Sequence, residues 1–318
     1  MMCFPGNIGA KALKCYAKLA LLALCIIILT LTCCFEFLTA VRATLVANSF
    51  LGYSWYSLRN IGQNIRTPCK IENSSLEMRH DNLSHDFFQR QKSRCFPSCI
   101  IFGVSKCGTR AVLEYLTLHP DVVARNSEVN FFCNKTLYER GVSWYIQQMP
   151  LSEPHQITVE KSPDYFECHY CADLIYAANR NTKLILLLRD PVERLVSQYM
   201  QLADKTAGLP PMEEWVINPD THVINNKLSS VMAGAYSEHL SHWLNVFPQH
   251  QIHIIESDNL RVNPLEEMTQ VEKFLNLRPF FAPGDFYFNS SRGFYCTRRR
   301  STGKTKCLGK SKGRHHIH

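Results

Sequence analysis

Ile100-Ile101-Phe102-Gly103-Val104-Ser105-Lys106-Cys107-Gly108-Thr109-Arg110 reads as an apolar strand running into a turn of small residues, with Lys106 in the turn and Thr109-Arg110 opening a helix. Such a turn presents backbone N–H groups and a helix N-terminus to an anion, and the lysine adds a mobile positive charge. The spacing from Gly103 to Gly108 is that of the nucleotide loop G-x-x-x-x-G-K-[ST], but Thr109-Arg110 stands where Lys-Ser/Thr belongs. The lysine has moved forward into the loop, and the hydroxyl that would hold magnesium directly after a loop lysine is missing. Metal-free transfer of an anionic group therefore outranks ATP hydrolysis.

Working outward, apolar runs alternate with helical patterns. The pattern predicts strands at 99–104, 157–160, 183–188 and 252–256, and helices at 109–118, 191–202, 231–246 and 264–276. Strands alternating with helices imply an α/β domain with a central parallel sheet flanked by helices. In such sheets ligands sit at the carboxyl ends of the strands, where Lys106, Lys161 and Arg189 all fall. No internal repeat and no nucleic-acid-binding fingerprint is present.

The chain has 318 residues, enough for one large domain with room for a tail and a stem. From Leu19 to Phe35 run 17 uncharged residues, preceded by Lys11, Lys14 and Lys18 and followed by Glu36. That is the short end of a membrane span, roughly 17–25 residues, and the flanking lysines put the N-terminus in the cytoplasm. The expected order is a cytoplasmic tail (1–18), a transmembrane signal-anchor (19–38), a stem (39–94) and the catalytic domain (95–318). A cleaved signal peptide is the rival, since Ala40-Val41-Arg42-Ala43 loosely fits a cleavage site, but its apolar region is normally about 7–15 residues. Sequons at Asn73, Asn82, Asn134 and Asn289 agree with a lumenal domain.

Of 14 cysteines, Cys3, Cys15, Cys25, Cys33 and Cys34 lie in the tail and anchor, and the remaining nine are an odd number. Cys296 and Cys307 bracket a polar, basic loop that a disulfide would staple in an oxidising lumen. Cys168-His169-Tyr170-Cys171 lacks a second ligand pair and reads as a local disulfide or unpaired thiols. The chain carries a net +8. Its clearest cluster is Arg292 to Arg314, which holds nine basic residues and no acid. Beside an anion site, a stapled run of this kind could hold a polyanion. Asp-x-Asp occurs nowhere in the chain, against a metal-dependent Golgi glycosyltransferase.

Further segments carry chemistry: Ser127-Glu128-Val129-Asn130-Phe131-Phe132; Val159-Glu160-Lys161-Ser162-Pro163-Asp164-Tyr165-Phe166; Leu188-Arg189-Asp190-Pro191 through Ser197-Gln198-Tyr199; Gly293-Phe294-Tyr295-Cys296; and Cys307-Leu308-Gly309-Lys310-Ser311-Lys312-Gly313-Arg314. With the loop at 105–110 they resemble, in order over residues 98 to 316, the Golgi heparan sulfate sulfotransferases, and among these the glucosamine 3-O-sulfotransferases. The resemblance implies sulfonate transfer from 3′-phosphoadenosine 5′-phosphosulfate to the 3-OH of glucosamine in heparan sulfate, without a metal, in a single-pass type II Golgi membrane protein.

By the same resemblance, Lys106, Cys107, Gly108, Thr109 and Arg110 would cradle the 5′-phosphosulfate. Arg189 and Ser197 would hold the 3′-phosphate, and Lys312-Gly313-Arg314 would close over the nucleotide. A guanidinium with a hydroxyl is suitable phosphate coordination, although Arg189-Asp190 alone would read as a salt-bridged turn before a Pro-started helix. Glu128 would be the general base, desolvated and made more basic by Phe131 and Phe132. Lys161 would neutralise charge on the transferring group, and Gln201 would contact the acceptor sugar.

Four positions depart from the family pattern, leaving the nucleotide site largely intact and bearing on the acceptor site. Asn130 stands where the family has His, Cys133 where it has Asp, Cys107 where it has Gly and Ser105 where it has a basic residue. Asn130 can hydrogen-bond substrate but cannot carry a proton. N-sulfation, sulfation of another glycan, and a catalytically inactive heparan-sulfate-binding relative therefore stand as alternatives. The family continues past Arg314 with a helical segment that has no counterpart here, so the domain is expected to be short at its end. His315-His316-Ile317-His318 is read as an incomplete or alternatively ended chain and not as a metal tract.

Overall fold

Near-continuous Ile, Leu and Val runs such as Lys183–Leu188 satisfy a strand buried on both faces, which requires helices above and below it. The computed structural model of the chain describes residues 69–71 and 92–309. In chain order the elements begin with β1 (Cys69–Ile71), β2 (Ser93–Cys95), β3 (Cys99–Gly103), α1 (Thr109–Leu116), β4 (Val122–Ala124), α2 (Lys135–Tyr138), α3 (Val142–Gln147) and β5 (Leu151–Ser152). They continue with β6 (Ile157–Lys161), α4 (Cys171–Ala178), β7 (Lys183–Leu188), α5 (Pro191–Ala203), α6 (Met212–Val216), α7 (Ser229–Met232) and α8 (Tyr236–Val246). The last are β8 (Ile252–Glu256), α9 (Ser257–Val262), α10 (Pro264–Leu275), β9 (Phe286–Asn289), β10 (Phe294–Arg298) and β11 (Thr305–Lys306).

Five strands form the central sheet in the order β4-β6-β3-β7-β8, all parallel. Every residue of β3 is buried, as its place in the middle of the sheet demands. Ile101 lies opposite Lys161 on one side and Ile185 on the other, so Lys161 ends its strand beside the start of the Val104–Gly108 loop. Phe102 packs on Trp243 with ring centroids 4.2 Å apart and edge-on to Phe166 at 5.8 Å. Trp243 donates its indole N–H to the Phe166 carbonyl at 3.1 Å, satisfying a fully buried polar group. A second aromatic group, Phe96, Phe131, Phe132, Tyr145 and Tyr165, fills the core beside β6.

Two small antiparallel sheets flank this core. β9, β10 and β11 form a hairpin-based sheet whose strands β10 and β11 are joined by the Cys296–Cys307 disulfide. The other has the order β1-β2-β5 and is tied by Cys69–Cys95. This corrects the boundary expected at residue 95. Cys69–Ile71 and Ser93–Arg94 lie in the segment read as a stem, yet their backbone groups are paired in a sheet that reaches Leu151–Ser152. Three-residue strands pinned by a cross-link carry too little periodicity to be read from sequence.

The helix expected at 231–246 is split into α7 and α8. A Cβ on Gly234 would meet the Val231 carbonyl oxygen at 3.2 Å and Pro191 Cβ at 3.3 Å, so the chain breaks where it passes close to the start of α5. Among the described residues no helix is long and apolar enough to cross a membrane. The tail at 1–18, the span expected at 19–38, the sequons Asn73 and Asn82, and Lys312-Gly313-Arg314 lie outside the described residues.

Candidate active site

The loop after β3 is held by its backbone. Val104 N–H donates to Leu187 O at 3.0 Å and Cys107 N–H to Val104 O at 3.1 Å, while the Ser257 hydroxyl donates to Cys107 O at 2.6 Å. Lys106 and Gly108 both take positive φ, 78° and 92°. Gly108 caps α1, and intrahelical bonds begin only at Ala111 and Val112. The N–H groups of Thr109 and Arg110 therefore belong to the first turn of a helix, where donors lack intrahelical partners. These two donors and the lysine make a cradle for an anion.

Of the residues expected in that cradle, Cys107 is placed otherwise. Its thiol is buried against Tyr236 at 3.8 Å, burial pushes it up to about 11, and its N–H is used inside the turn. The Arg110 side chain turns away along α1 to Glu114 and the Asn126 carbonyl. Lys106 Nζ donates to Gln201 Oε1 at 3.1 Å, which brings the loop lysine to the third turn of α5.

α5 starts on a strong cap. Asp190 accepts from the N–H groups of Val192 and Glu193, both at 2.9 Å, and Pro191 occupies the first helical position. Arg189, at the end of β7, is held by Glu193 through its Nε at 3.0 Å. Ser197 lies two turns into the same helix. Arg194, between them, is fully buried and donates to Ser230 O; nothing in its sequence context distinguished it from a surface arginine.

Glu128 and Lys161 meet directly as an ion pair. Lys161 is 4% exposed and Glu128 39%. The desolvation expected from Phe131 and Phe132 is not what the structure places there. Both rings are fully buried in the aromatic core below the chain, so the Glu128 carboxylate stands at the rim with the ammonium beneath it. Asn130 takes the left-handed conformation, φ 52°, which Asn tolerates better than most residues. Its N–H donates to Ser162 Oγ at 3.0 Å, and the Ser162 hydroxyl donates to Glu160. Glu160 is fully buried, and burial pushes it up to about 7 against the hydrogen bond from Ser162.

The pair opens onto a cleft of about 590 Å³ whose walls include Arg110, Glu114, Glu128, Lys161, Thr297 and Lys306. Glu114 and Lys306 were not singled out from the sequence as site residues. Glu114 accepts from both Arg110 and Lys306 and so pins the stapled hairpin to α1. Burial alone would raise its pKa, but the Lys306 and Arg110 partners outweigh it and hold the carboxyl below its ordinary value. Only a long-range pairing of β10–β11 with α1 makes that contact, and no local pattern announces it. Asn134 is exposed, its side chain capping α2, whereas Asn289 is half-buried with its amide nitrogen 3.8 Å from Cys307 Sγ.

Residues 96–318 match the family described as sulfotransferase domain. Over 248 residues the chain is 43% identical to heparan sulfate glucosamine 3-O-sulfotransferase 5 of Mus musculus, a match covering 77% of this chain and 69% of that protein. The protein of the same name from Homo sapiens is 42% identical over 73% of this chain and 66% of its own length. Among solved structures, a sulfotransferase from Alicyclobacillus acidocaldarius aligns with a TM-score of 0.50 at 22% identity, over 62% of this chain and 88% of that one; this likeness concerns the fold.

Proposed function

The chain belongs to the sulfotransferase family and, within it, to the heparan sulfate glucosamine 3-O-sulfotransferases, and from that membership we propose that it transfers a sulfonate group to the 3-OH of glucosamine in heparan sulfate. The donor is 3′-phosphoadenosine 5′-phosphosulfate. Bound, it supplies a sulfonate already attached to a phosphate leaving group.

The donor set suits that group. Backbone N–H donors at Thr109 and Arg110 and the Lys106 ammonium receive the 5′-anion, with Gly108 supplying the left-handed turn that starts the helix. Arg189 and Ser197 receive the 3′-phosphate, and Arg189 exchanges Glu193 for it. Lys312, Gly313 and Arg314 close over the nucleotide by family resemblance. Glu128 Oε accepts the proton of the attacking sugar hydroxyl. Lys161, partner to Glu128, orients that carboxylate and lends positive charge where negative charge is shared among the transferring oxygens. Asn130 and Gln201 hydrogen-bond the acceptor. The basic hairpin, with Lys306 on the cleft wall, binds the sulfated chain. Carriage through an oxidising Golgi lumen behind an N-terminal signal-anchor fits two disulfides.

The observation that carries this reading is the Glu128–Lys161 pair at the mouth of a cleft beside an anion-cradling loop. Glu128→Gln tests it. Transfer should fall by at least about 10²-fold, the lower end for loss of a general base, while binding of 3′-phosphoadenosine 5′-phosphate stays within about twofold. Loss of nucleotide binding would contradict the role of Glu128 as a base.

A further inference from the structure

Three thiols that the transfer reaction does not use converge on one side of the domain. Cys133 follows the Glu128–Phe132 turn, and Cys168 and Cys171 flank the start of α4. All three are unpaired, while four other cysteines of the domain form disulfides. The Cys171 N–H donates to the Cys168 carbonyl at 3.2 Å, closing the turn that carries both thiols. Cys168 and Cys133 are half-buried. The Tyr170 hydroxyl donates to the Cys133 carbonyl at 3.3 Å, and the Cys133 thiol donates to Asn130 O at 3.5 Å.

The trio has the asymmetry of an exchange-active dithiol. Cys168 lies just before a helix N-terminus, reachable from solvent, and Cys171 sits behind it as the first residue of the helix. The neighbouring Cys171 side chain brings Cys168 down to about 7, whereas burial, with the two neighbouring thiols, raises Cys171. A half-buried low-pKa cysteine backed by a fully buried high-pKa one is an arrangement in which the more accessible thiol attacks a disulfide and the other resolves it.

We infer that Cys133, Cys168 and Cys171 constitute a thiol–disulfide exchange site, with Cys168 as the attacking thiol and Cys171 as the resolving one, whose co-reactant is a small accessible disulfide. The Cys168 thiolate attacks one sulfur of the disulfide RSSR, forming a Cys168–S–SR bond and releasing RS⁻. The Cys171 thiolate, formed as its proton passes to solvent, then attacks Cys168 Sγ, closing Cys168–Cys171 and releasing a second RS⁻. One RSSR is reduced, two protein thiols are oxidised and two protons leave. Cys133, held beside the pair by the Tyr170 hydroxyl on its carbonyl, is left as the third thiol of an odd set. When Cys168 is absent, Cys133 is the remaining neighbour that can bridge to Cys171. The bridge joins the segment following Lys161 to α4, next to the turn that carries Glu128 and Asn130.

The full chain is treated with oxidised glutathione between pH 5.5 and 8.5, quenched by alkylation, and mapped by peptide mass spectrometry. A Cys168–Cys171 disulfide should form with Cys133 alkylated, at a rate rising with pH to a midpoint near that of Cys168. Cys168→Ser should slow glutathione consumption at least tenfold. Cys171→Ser should trap glutathione on Cys168. The inference is overturned if the wild-type chain keeps all three thiols alkylated after exposure, or if Cys168→Ser reacts as fast as wild type. The wild-type mapping stands whether or not either variant folds.

Discussion

An alanine at position 103 would carry its Cβ to 2.5 Å from Phe166 Cβ and 2.9 Å from Leu186 Cδ1, against the ~3.5–4.0 Å of carbon atoms in contact. The leucine methyl can rotate away. Phe166 Cβ cannot, because the Phe166 N–H is bonded to Phe102 O at 2.9 Å and its ring is packed between Phe102 and Tyr236. Overpacking of this kind costs about 1–3 kcal/mol, and alanine returns up to about 1 kcal/mol by narrowing the unfolded ensemble. With the backbone unable to yield, the upper part of that range applies, and a net loss of about 2 kcal/mol (about 3 less about 1) corresponds to a Tm lower by roughly 4–8 °C in a domain of ~200 residues. The displaced Ser162–Phe166 segment leads straight back to Lys161, so the site moves with it. Thermal denaturation of Gly103→Ala, with initial transfer rates measured at 25 °C where it remains folded, separates the two effects. The expected result is a lowered Tm and a transfer rate reduced by more than the unfolded fraction. A Tm within about 1 °C of wild type with full activity would refute the packing argument.

Arg189→Ala should weaken 3′-phosphoadenosine 5′-phosphate binding roughly 10–100-fold, the loss expected for a charged hydrogen bond of about 1.5–3 kcal/mol; calorimetry showing unaltered affinity would remove its phosphate role. Glu114→Gln should loosen the basic hairpin from α1, raising the KM for heparan sulfate while leaving nucleotide affinity unchanged. Because the folded Glu114 carboxyl is held below its ordinary value, its contribution is present above the unfolded pKa and lost as pH falls through the folded one. Acid titration should therefore narrow the stability gap between wild type and Glu114→Gln, and a gap constant with pH would contradict this. Glu160 has the opposite sign: raised to about 7 by burial, it costs stability as pH rises from about 4.5 to about 7, on the order of 3 kcal/mol at one pKa unit per 1.36 kcal/mol. Denaturant titrations across that window should show a slope that Glu160→Gln flattens.

Much of this was legible along the chain because it is local. The run Ile100–Gly103, the turn lysine and the glycine at 108 specify strand, loop and helix start within eleven residues, and the Leu184–Leu187 run specifies a second buried strand. Asp190-Pro191 announces a helix start by its own chemistry. What escaped is long-range or short. β4 is three residues at the sheet edge, below any reliable period. β1 lies 24 residues before its partner β2 in sequence register and is found only through Cys69–Cys95. The Phe131-Phe132 pair misled because sequence adjacency to Glu128 does not tell which way a ring turns; both turned inward. Glu114 carries no local signal of its place in the site, because its partner Lys306 lies 192 residues on and is brought to it by the hairpin.

The most direct test of the account is radiolabelled sulfonate transfer from 3′-phosphoadenosine 5′-phosphosulfate to heparan sulfate by the purified protein, followed by disaccharide analysis of the product. The account predicts label on O3 of glucosamine, dependent on Glu128. Label on the glucosamine nitrogen or on another oxygen, or no label from a protein that still binds the nucleotide, would contradict it.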